Sequence, residues 1–538
     1  MFWLDRIYGQ IEEQLGEKIK RGETLLIRDE KTASGRVHVG SMRALALHAA
    51  IAERLAEAGV PHEFRFEIND FDPMDGLPIY LDKEAYEPYM GMQLYKIPAP
   101  DLATGKVGGS AKNFAECFAE EYIGAIEVAG FKPTFYRGSE LYLSGKMNDA
   151  IRTFLDKADI VREVYREMYG TPRPEDWFPL QVVCEQCGKI GTTRVTGWDG
   201  ELVTYRCMPK MVEWAEGCGN EGNISPFDGN AKLPWKAEWA AKWQVLGVDI
   251  EGGGKDHFTK GGSRDLARLF AQRVLQFPEP FGVANEFFLV GGKKMSSSKG
   301  AGASARDIVE LVPQHIFKLA LYGKDINQQI NVDPEGDTIP VLFDQYDKLA
   351  ASYWAGVEDD YARLFTYIHP TVDEKPQMPS EHFLPRFSQV AFIAQMPHLD
   401  FFAEMEALKG SPLTEDDKLE ASERREYALR WVRLYAPEKF VFELQDEVPD
   451  VALGLSEQQK NALKKLHDTL MSAEALPSGE ELHELLHSIK DEQGIAPAEL
   501  FSALYLAFLG KPFGPKAGWF LSVLERDFVL RRLEAVTQ

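Results

Sequence analysis

Trp3, Leu4, Ile7, Ile11, Leu15 and Ile19 recur at steps of three and four residues and stop at Gly22. That spacing predicts an amphipathic opening helix. The pattern then shortens: "ETLLIRDE" is a compact apolar run with strand character, followed by the small and polar "KTASGRV". Helical spacing returns in "VHVGSMRALALHAAIAERLAEAG", which lacks proline and ends on Gly59, and "VPHEFRFEINDFDP" reads as a second strand with acids at its carboxyl end. Strand, loop, helix, strand is the opening of a doubly wound parallel sheet, whose ligands collect at the carboxyl ends of the strands.

From about Asp72 to Asp228 this alternation is expected to break into helical pieces and a cysteine-bearing segment. It resumes with "KAEWAAKWQVLGVDIEGGGKDH", the helix "SRDLARLFAQRVLQ" with Ser263 as its cap, and the strand "ANEFFLV". Beyond about Ala301 strand signals fade and amphipathic helical segments dominate, with "NVDPEGD" as a linker. The fold class expected is α/β: a Rossmann-like doubly wound parallel sheet, an inserted zinc-bearing domain, and an all-α C-terminal region. The expected divisions are 1–71 and 229–300 for the two halves of the catalytic domain and 72–228 for the insertion. Residues 301–370 form a helical connection and 371–538 a helical domain.

Composition narrows the class. A chain of 538 residues, 44% hydrophobic, has ample core for several domains, and its net charge of -24 argues for solubility and against a generally basic nucleic-acid binder. No stretch approaches the roughly 18 apolar residues of a membrane span, and the start lacks the uninterrupted apolar core of a secretory signal. No membrane partner and a cytoplasmic location are therefore expected.

Three stretches carry chemistry. In "SGRVHVGSMR", His38, Gly40 and Ser41 fall where a glycine-containing loop enters a helix. Free amides and the dipole of a helix N-terminus suit a triphosphate, and Gly35 and Gly40 allow close approach of backbone to ligand. The pattern of P-loop hydrolases is absent. In "VGGKKMSSSKG", Lys293, Lys294 and Lys299 can neutralise a pyrophosphate while Ser296, Ser297 and Ser298 bond its oxygens. In "GGGKDHFTKGGSRD", Gly252 to Gly254 can cradle an adenine or ribose, Asp256 can accept from ribose hydroxyls, and a buried Asp256–His257 pair is expected, with His257 toward the second substrate.

Four of the five cysteines stand in "CEQCGK", "YRCMPK" and "EGCGNEG". Cys184, Cys187, Cys207 and Cys218 can supply four thiolates to a tetrahedral, structural Zn²⁺ with no open position, the other reading being reduced, unliganded cysteines; Cys117 is read as core.

These stretches resemble the His-Ile-Gly-His and Lys-Met-Ser-Lys-Ser signatures of class I aminoacyl-tRNA synthetases. "TASGRVHVGSMRAL", "NDFDPM", "GGGKDHFTKGGSRDLA", "VGGKKMSSSKG" and "GKPFGPKAGWF", in that order, resemble the archaeal-type class I lysyl-tRNA synthetase family along nearly the full length. Ser41 stands where the wider class has its second His, and Ser297 where it has its second Lys; Lys294, with Lys299 or Lys293 assisting, is the lysine expected to clasp the pyrophosphate.

The resemblance implies ATP-dependent attachment of L-lysine to tRNA(Lys) through a lysyl-adenylate, with ATP and Mg²⁺ required. His38, Gly40, Ser41, Lys294 and Ser296 would be catalytic. Ser34, Gly35, His38, Gly40, Gly254, Asp256, Lys294, Ser297 and Lys299 would hold ATP, and Thr32, Trp235 and His257 would line the lysine site. The lysine ammonium needs a carboxylate or an aromatic face; Asp29, Glu30, Glu67, Asp70 and Asp72 are candidates, with Trp235 and Trp239 as walls. Residues 301–370 would contact the tRNA stem. The basic and aromatic helices around Trp431, Tyr435 and Trp519 would read unpaired anticodon bases. Two other readings are a glutamyl-type synthetase, which would need arginine in its pocket, and a non-catalytic tRNA-binding paralogue, which would not require the lysine–serine loop.

Overall fold

A computed structural model describes residues 2–292, 304–372, 375–396, 399–473 and 475–538. The chain divides into two compact units, Met1–Val332 with Lys348–Pro379, and Asp333–Asp347 with Ser380–Gln538. The first division falls inside "NVDPEGD".

In the first unit, helix α1 (Trp3–Lys20) buries Trp3, Leu4, Ile7, Tyr8 and Ile11, the stripe its spacing predicts. Gly22, at φ 68°, lets the chain turn out of it. Strand β1 (Leu25–Thr32) pairs in parallel with β2 (His62–Asn69) from Leu25↔His62 to Thr32↔Asn69. Between them the helix α2 (Met42–Glu57) supplies the crossover. Strand β3 (Thr134–Arg137) adds in parallel to β2. Parallel bridges Ile27↔Ile250 and Ile250↔Phe281, followed by Gly253–Gly254 against Ala284–Asn285, extend the sheet on the other side of β1. The resulting order, β3-β2-β1 followed by the strands at 250 and 281, is that of a doubly wound nucleotide-binding sheet.

Four expectations change. The break in the alternation comes later than Asp72, because residues 114–137 provide a crossover helix (Phe114–Val128) and the strand β3 of the main sheet. The separate sheet is the antiparallel one formed by Thr193–Trp198, Val203–Cys207 and Glu221–Ile224. Strand character also persists past Ala301, since Ile330–Val332 pairs in parallel with Phe288–Val290. The helix Ser263–Phe270 has Gly262, not Ser263, at its N-cap position and no side-chain cap bond. Cys117 is only half-buried.

Each face of the sheet is covered. Alternation along β1 sends Leu26, Arg28 and Glu30 to one side and Ile27, Asp29 and Lys31 to the other. The helix Trp235–Leu246 packs on the first side, where Lys242 reaches Glu67 and Trp243 reaches Glu251. Helix α2 lies on the second, where His48 Nδ1 stands 3.2 Å from Asp29 Oδ2 and its Nε2 accepts from the amide of Gly252. Four helices of the second unit, Glu415–Leu434, Glu457–Met471, Gly479–Gln493 and Pro497–Leu509, read cleanly from sequence. Capping boxes at Thr414/Asp417, Ser456/Gln459 and Ser478/Glu481 fix the first three starts.

Candidate active site

The carboxyl ends of β1 and β2 open into two cavities that share Thr32 and Trp235. One, of about 340 Å³, is lined by residues 29–32 of β1, Ser41 just before α2, Ala44 of α2, Phe66, Tyr122, Trp235, Trp239, His257 and Glu251 to Gly254. The other, of about 440 Å³, is lined by Thr32, Ser34, Asp72, Pro73, Asp75, Gln181, Lys232 and Trp235. Thr32 Oγ1 donates to Asp72 Oδ2 at 2.9 Å.

His38 precedes a 3₁₀ turn, Val39–Ser41, and the α-helix proper begins at Met42, so the loop amides are presented one turn before the helix. A glycine is required at position 40 because a Cβ there would stand 2.8 Å from His38 Nδ1. The predicted lysines and serines 293–299 lie outside the described residues, yet both described flanks of that segment reach the His38 turn. Ser304 forms an antiparallel bridge with His38, and Ala305 N–H donates to the Val37 carbonyl at 2.8 Å. On the other side, the Phe288 carbonyl stands 3.4 Å from where a Gly40 Cβ would be.

The expected lysine-site residues come together. Trp235 stacks on Trp239 at 5.7 Å and 21°, and His257 sits 5.6 and 5.7 Å from the two rings. Gly254 and Ser41 line the same cavity and Ser34 the adjoining one, whereas Gly35 lines neither. Asp256 and His257 are not a buried pair: Asp256 is exposed and only His257 faces the cavity. The cause is the 3₁₀ turn Lys255–His257, which swings consecutive side chains apart. Of the acidic candidates, Glu67 and Asp70 are already engaged. Glu67 accepts from Arg28 at 2.6 Å, Lys242 at 2.6 Å and Tyr136 at 2.9 Å. Asp70 accepts from the amide and hydroxyl of Ser139, both at 2.7 Å.

Behind the cavities lies a charge network that pattern reading missed. Arg28, fully buried, binds Glu67, Glu251 at 2.5 Å and Glu30. Lys242 adds Glu238 and Glu30, each at 3.5 Å. Lys232 holds Glu238 at 2.5 Å and Asp72 at 3.0 Å, and Tyr142 donates to Glu238. Burial opposes ionisation of Glu30, but Lys242 and Arg28 outweigh it and hold the carboxyl well below its usual range. Burial likewise works against the Lys232 ammonium, and Asp72 and Glu238 outweigh it, so its pKa stands above the ordinary value. Glu251 goes the other way: burial pushes its carboxyl up. The legible signals were an arginine inside the apolar run "LLIRDE" and the i,i+4 pair Glu238/Lys242 in a tryptophan-rich helix.

The four cysteines meet, their sulfurs all within 4.8 Å of one another. Cys184 and Cys218 are 3.6 Å apart, Cys187 and Cys207 3.8 Å. A disulfide would need about 2.05 Å, while a tetrahedron with Zn–S near 2.3 Å puts sulfurs about 3.8 Å apart. The Cys218 amide donates to Cys207 Sγ at 3.3 Å, a contact that stabilises a thiolate. In the second unit Trp431 is core: it is fully buried and donates to the Pro334 carbonyl at 2.7 Å. Trp519 is half-buried against Phe392.

The sheet order, the His-x-Gly turn and the paired cavities define an α/β nucleotide-binding domain whose ligands gather at the strand ends. A family model described as tRNA synthetases class I (K) matches residues 1–370, and one described as Anticodon binding domain matches 429–537. The chain is 31% identical over 539 residues to the lysine–tRNA ligase of Methanosarcina barkeri, covering 96% of this chain and 95% of that one. It is 32% identical over 552 residues to the lysine–tRNA ligase of Methanocaldococcus jannaschii, covering 99% of both. The chain belongs to the class I lysyl-tRNA synthetase family. Among the described residues no helix is long and apolar enough to cross a membrane.

Proposed function

We propose that the protein attaches L-lysine to tRNA(Lys) in the cytoplasm in two steps at these cavities. The lysine carboxylate attacks the α-phosphorus of ATP, which enters as its Mg²⁺ complex, and pyrophosphate leaves. A terminal ribose hydroxyl of the tRNA, the 2′ one by class I behaviour, then attacks the lysyl carbonyl and AMP leaves. Little covalent chemistry falls to the protein; the rate comes from positioning and from neutralising phosphate charge. His38 donates to phosphate oxygens, Gly40 and Ser41 present the turn, and Gly254 faces the nucleotide. Lys294, with Ser296, Ser297 and Lys299, clasps the pyrophosphate. Thr32, Trp235 and His257 line the lysine site. Residues 301–370 contact the tRNA stem and 371–538 read the anticodon.

The observation that carries this reading is the bridge between His38 and Ser304: residues 266 apart in sequence, one inside the first phosphate-binding stretch and one just past the second, meet at the turn that leads into Ser41 of the cavity. A glutamyl-type pocket is disfavoured, because Arg28 is already surrounded by three carboxylates. In lysine-dependent pyrophosphate exchange, Lys294→Ala is expected to slow adenylate formation at least about tenfold with the fold intact, which corresponds to about 1.4 kcal/mol. An unchanged rate would remove that lysine from the mechanism. A protein that binds tRNA but exchanges pyrophosphate with no amino acid would be the non-catalytic paralogue.

The sulfur spacing supports a structural Zn²⁺ on Cys184, Cys187, Cys207 and Cys218, which closes the module and leaves no position for substrate. Metal analysis of the purified protein is expected to find one zinc per chain. Cys187→Ser is expected to lower that content and make the 181–224 segment sensitive to proteolysis; a zinc-free wild-type protein that resists proteolysis there would exclude the metal.

A further inference from the structure

The charge network has an imbalance. Among its ion pairs five carboxylates (Glu30, Glu67, Asp72, Glu238 and Glu251) face three cations (Arg28, Lys232 and Lys242), with Lys31 attracted to Glu30 and Arg264 to Glu251 from outside those pairs. Carboxylates outnumber cations among these pairs, so a further cation entering from the cavity would meet an acceptor already held in its charged form.

Its position follows from the strand. On the Asp29 face of β1 lie α2, Ser41 and Gly252, the side of the phosphate-binding turn. On the Glu30 face lie Trp235, Trp239 and His257. Glu30 is the network carboxylate that borders this aromatic wall with its side chain 19% exposed, while Arg28 and Lys242 behind it are 0% and 1% exposed. Glu251 borders the same cavity but is 4% exposed and held at 2.5 Å by both Arg28 and Trp243. Asp72 shares Glu30's exposure but opens into the adjoining cavity, where Lys232 and Thr32 already occupy its oxygens.

We infer that Glu30 is the residue that selects the amino acid, receiving the side-chain ammonium of lysine at the end of the Trp235–Trp239–His257 wall. The inference rests on the ligase reading above. The tryptophan faces cover the methylenes, and the ammonium pairs with a carboxylate that Arg28 and Lys242 hold in place. Lys31 stands with Asp29 on the opposite face, where Asp29 and Glu30 both favour its charged form against burial.

The test compares amino acids in pyrophosphate exchange with the full chain: lysine, norleucine, which lacks the ammonium, and homolysine, one methylene longer. Glu30→Gln, nearly the same size, is expected to lower the preference for lysine over norleucine by about 100-fold or more in kcat/KM, with the KM for ATP unchanged. Glu30→Asp retracts the carboxylate and is expected to move the preference from lysine toward homolysine, a shift that a merely structural role would not produce. Two results overturn the inference: both variants keeping the wild-type preferences, or Asp72→Asn, and not the Glu30 variants, abolishing them. Wild-type protein that exchanges with no amino acid would instead sink the ligase reading itself.

Discussion

Replacing Arg28 by alanine is expected to destabilise the first unit by about 3–5 kcal/mol, the cost of leaving a buried carboxylate without its partner. Arg28 is fully buried and serves Glu67, Glu251 and Glu30 at once. Without it Glu67 keeps Lys242 and the Tyr136 hydroxyl, Glu30 keeps Lys242, and Glu251 loses its ion pair and retains the indole of Trp243 and the weaker attraction of Arg264. The sign of the pH dependence follows. Burial already holds the Glu251 carboxyl above its ordinary 4.5, and loss of Arg28 raises it further. A raised carboxyl contributes stability that is present below the unfolded value and lost as pH rises through the folded one. The deficit of Arg28→Ala is therefore expected to widen from pH 5 to pH 8, and Arg28→Ala with Glu251→Gln to recover part of it. Urea unfolding at both pH values measures this; a loss below about 1 kcal/mol at pH 8, as for a solvated surface pair, would show that the network is not electrostatically buried.

The second large effect is on catalysis. His38→Ala is expected to lower kcat for adenylate formation by about 10²–10³, the scale of removing one well-placed donor to developing charge, with little change in the KM for lysine. Gly40→Ala should act in the same direction while leaving the histidine present, because its Cβ would stand 2.8 Å from His38 Nδ1 and displace the ring. If both act through the ring's position, the double variant will be no slower than His38→Ala alone. Additive losses would separate glycine and histidine into independent roles.

Sequence by itself determined the elements and the local chemistry. Periodicities of 3.6 and 2 gave α1, α2, β1 and β2, and glycine at 40 and the C-x-x-C pair have meanings that survive without neighbours, because each reflects a local steric or ligand requirement, whereas the tryptophans at 235 and 239 read as walls through the family resemblance. The sequence left open whether Asp256 and His257 share an environment, since one 3₁₀ turn rotates them apart. It could not rank Glu30 against Glu67 or Asp70, because a carboxylate's availability depends on which donors the sheet and the covering helix bring to it. Nor could it show that "TFYR" at 134–137 completes the main sheet, a pairing made with residues some seventy positions away. Charge balance in a buried network is a sum over distant residues at short range, and only the folded chain fixes those distances.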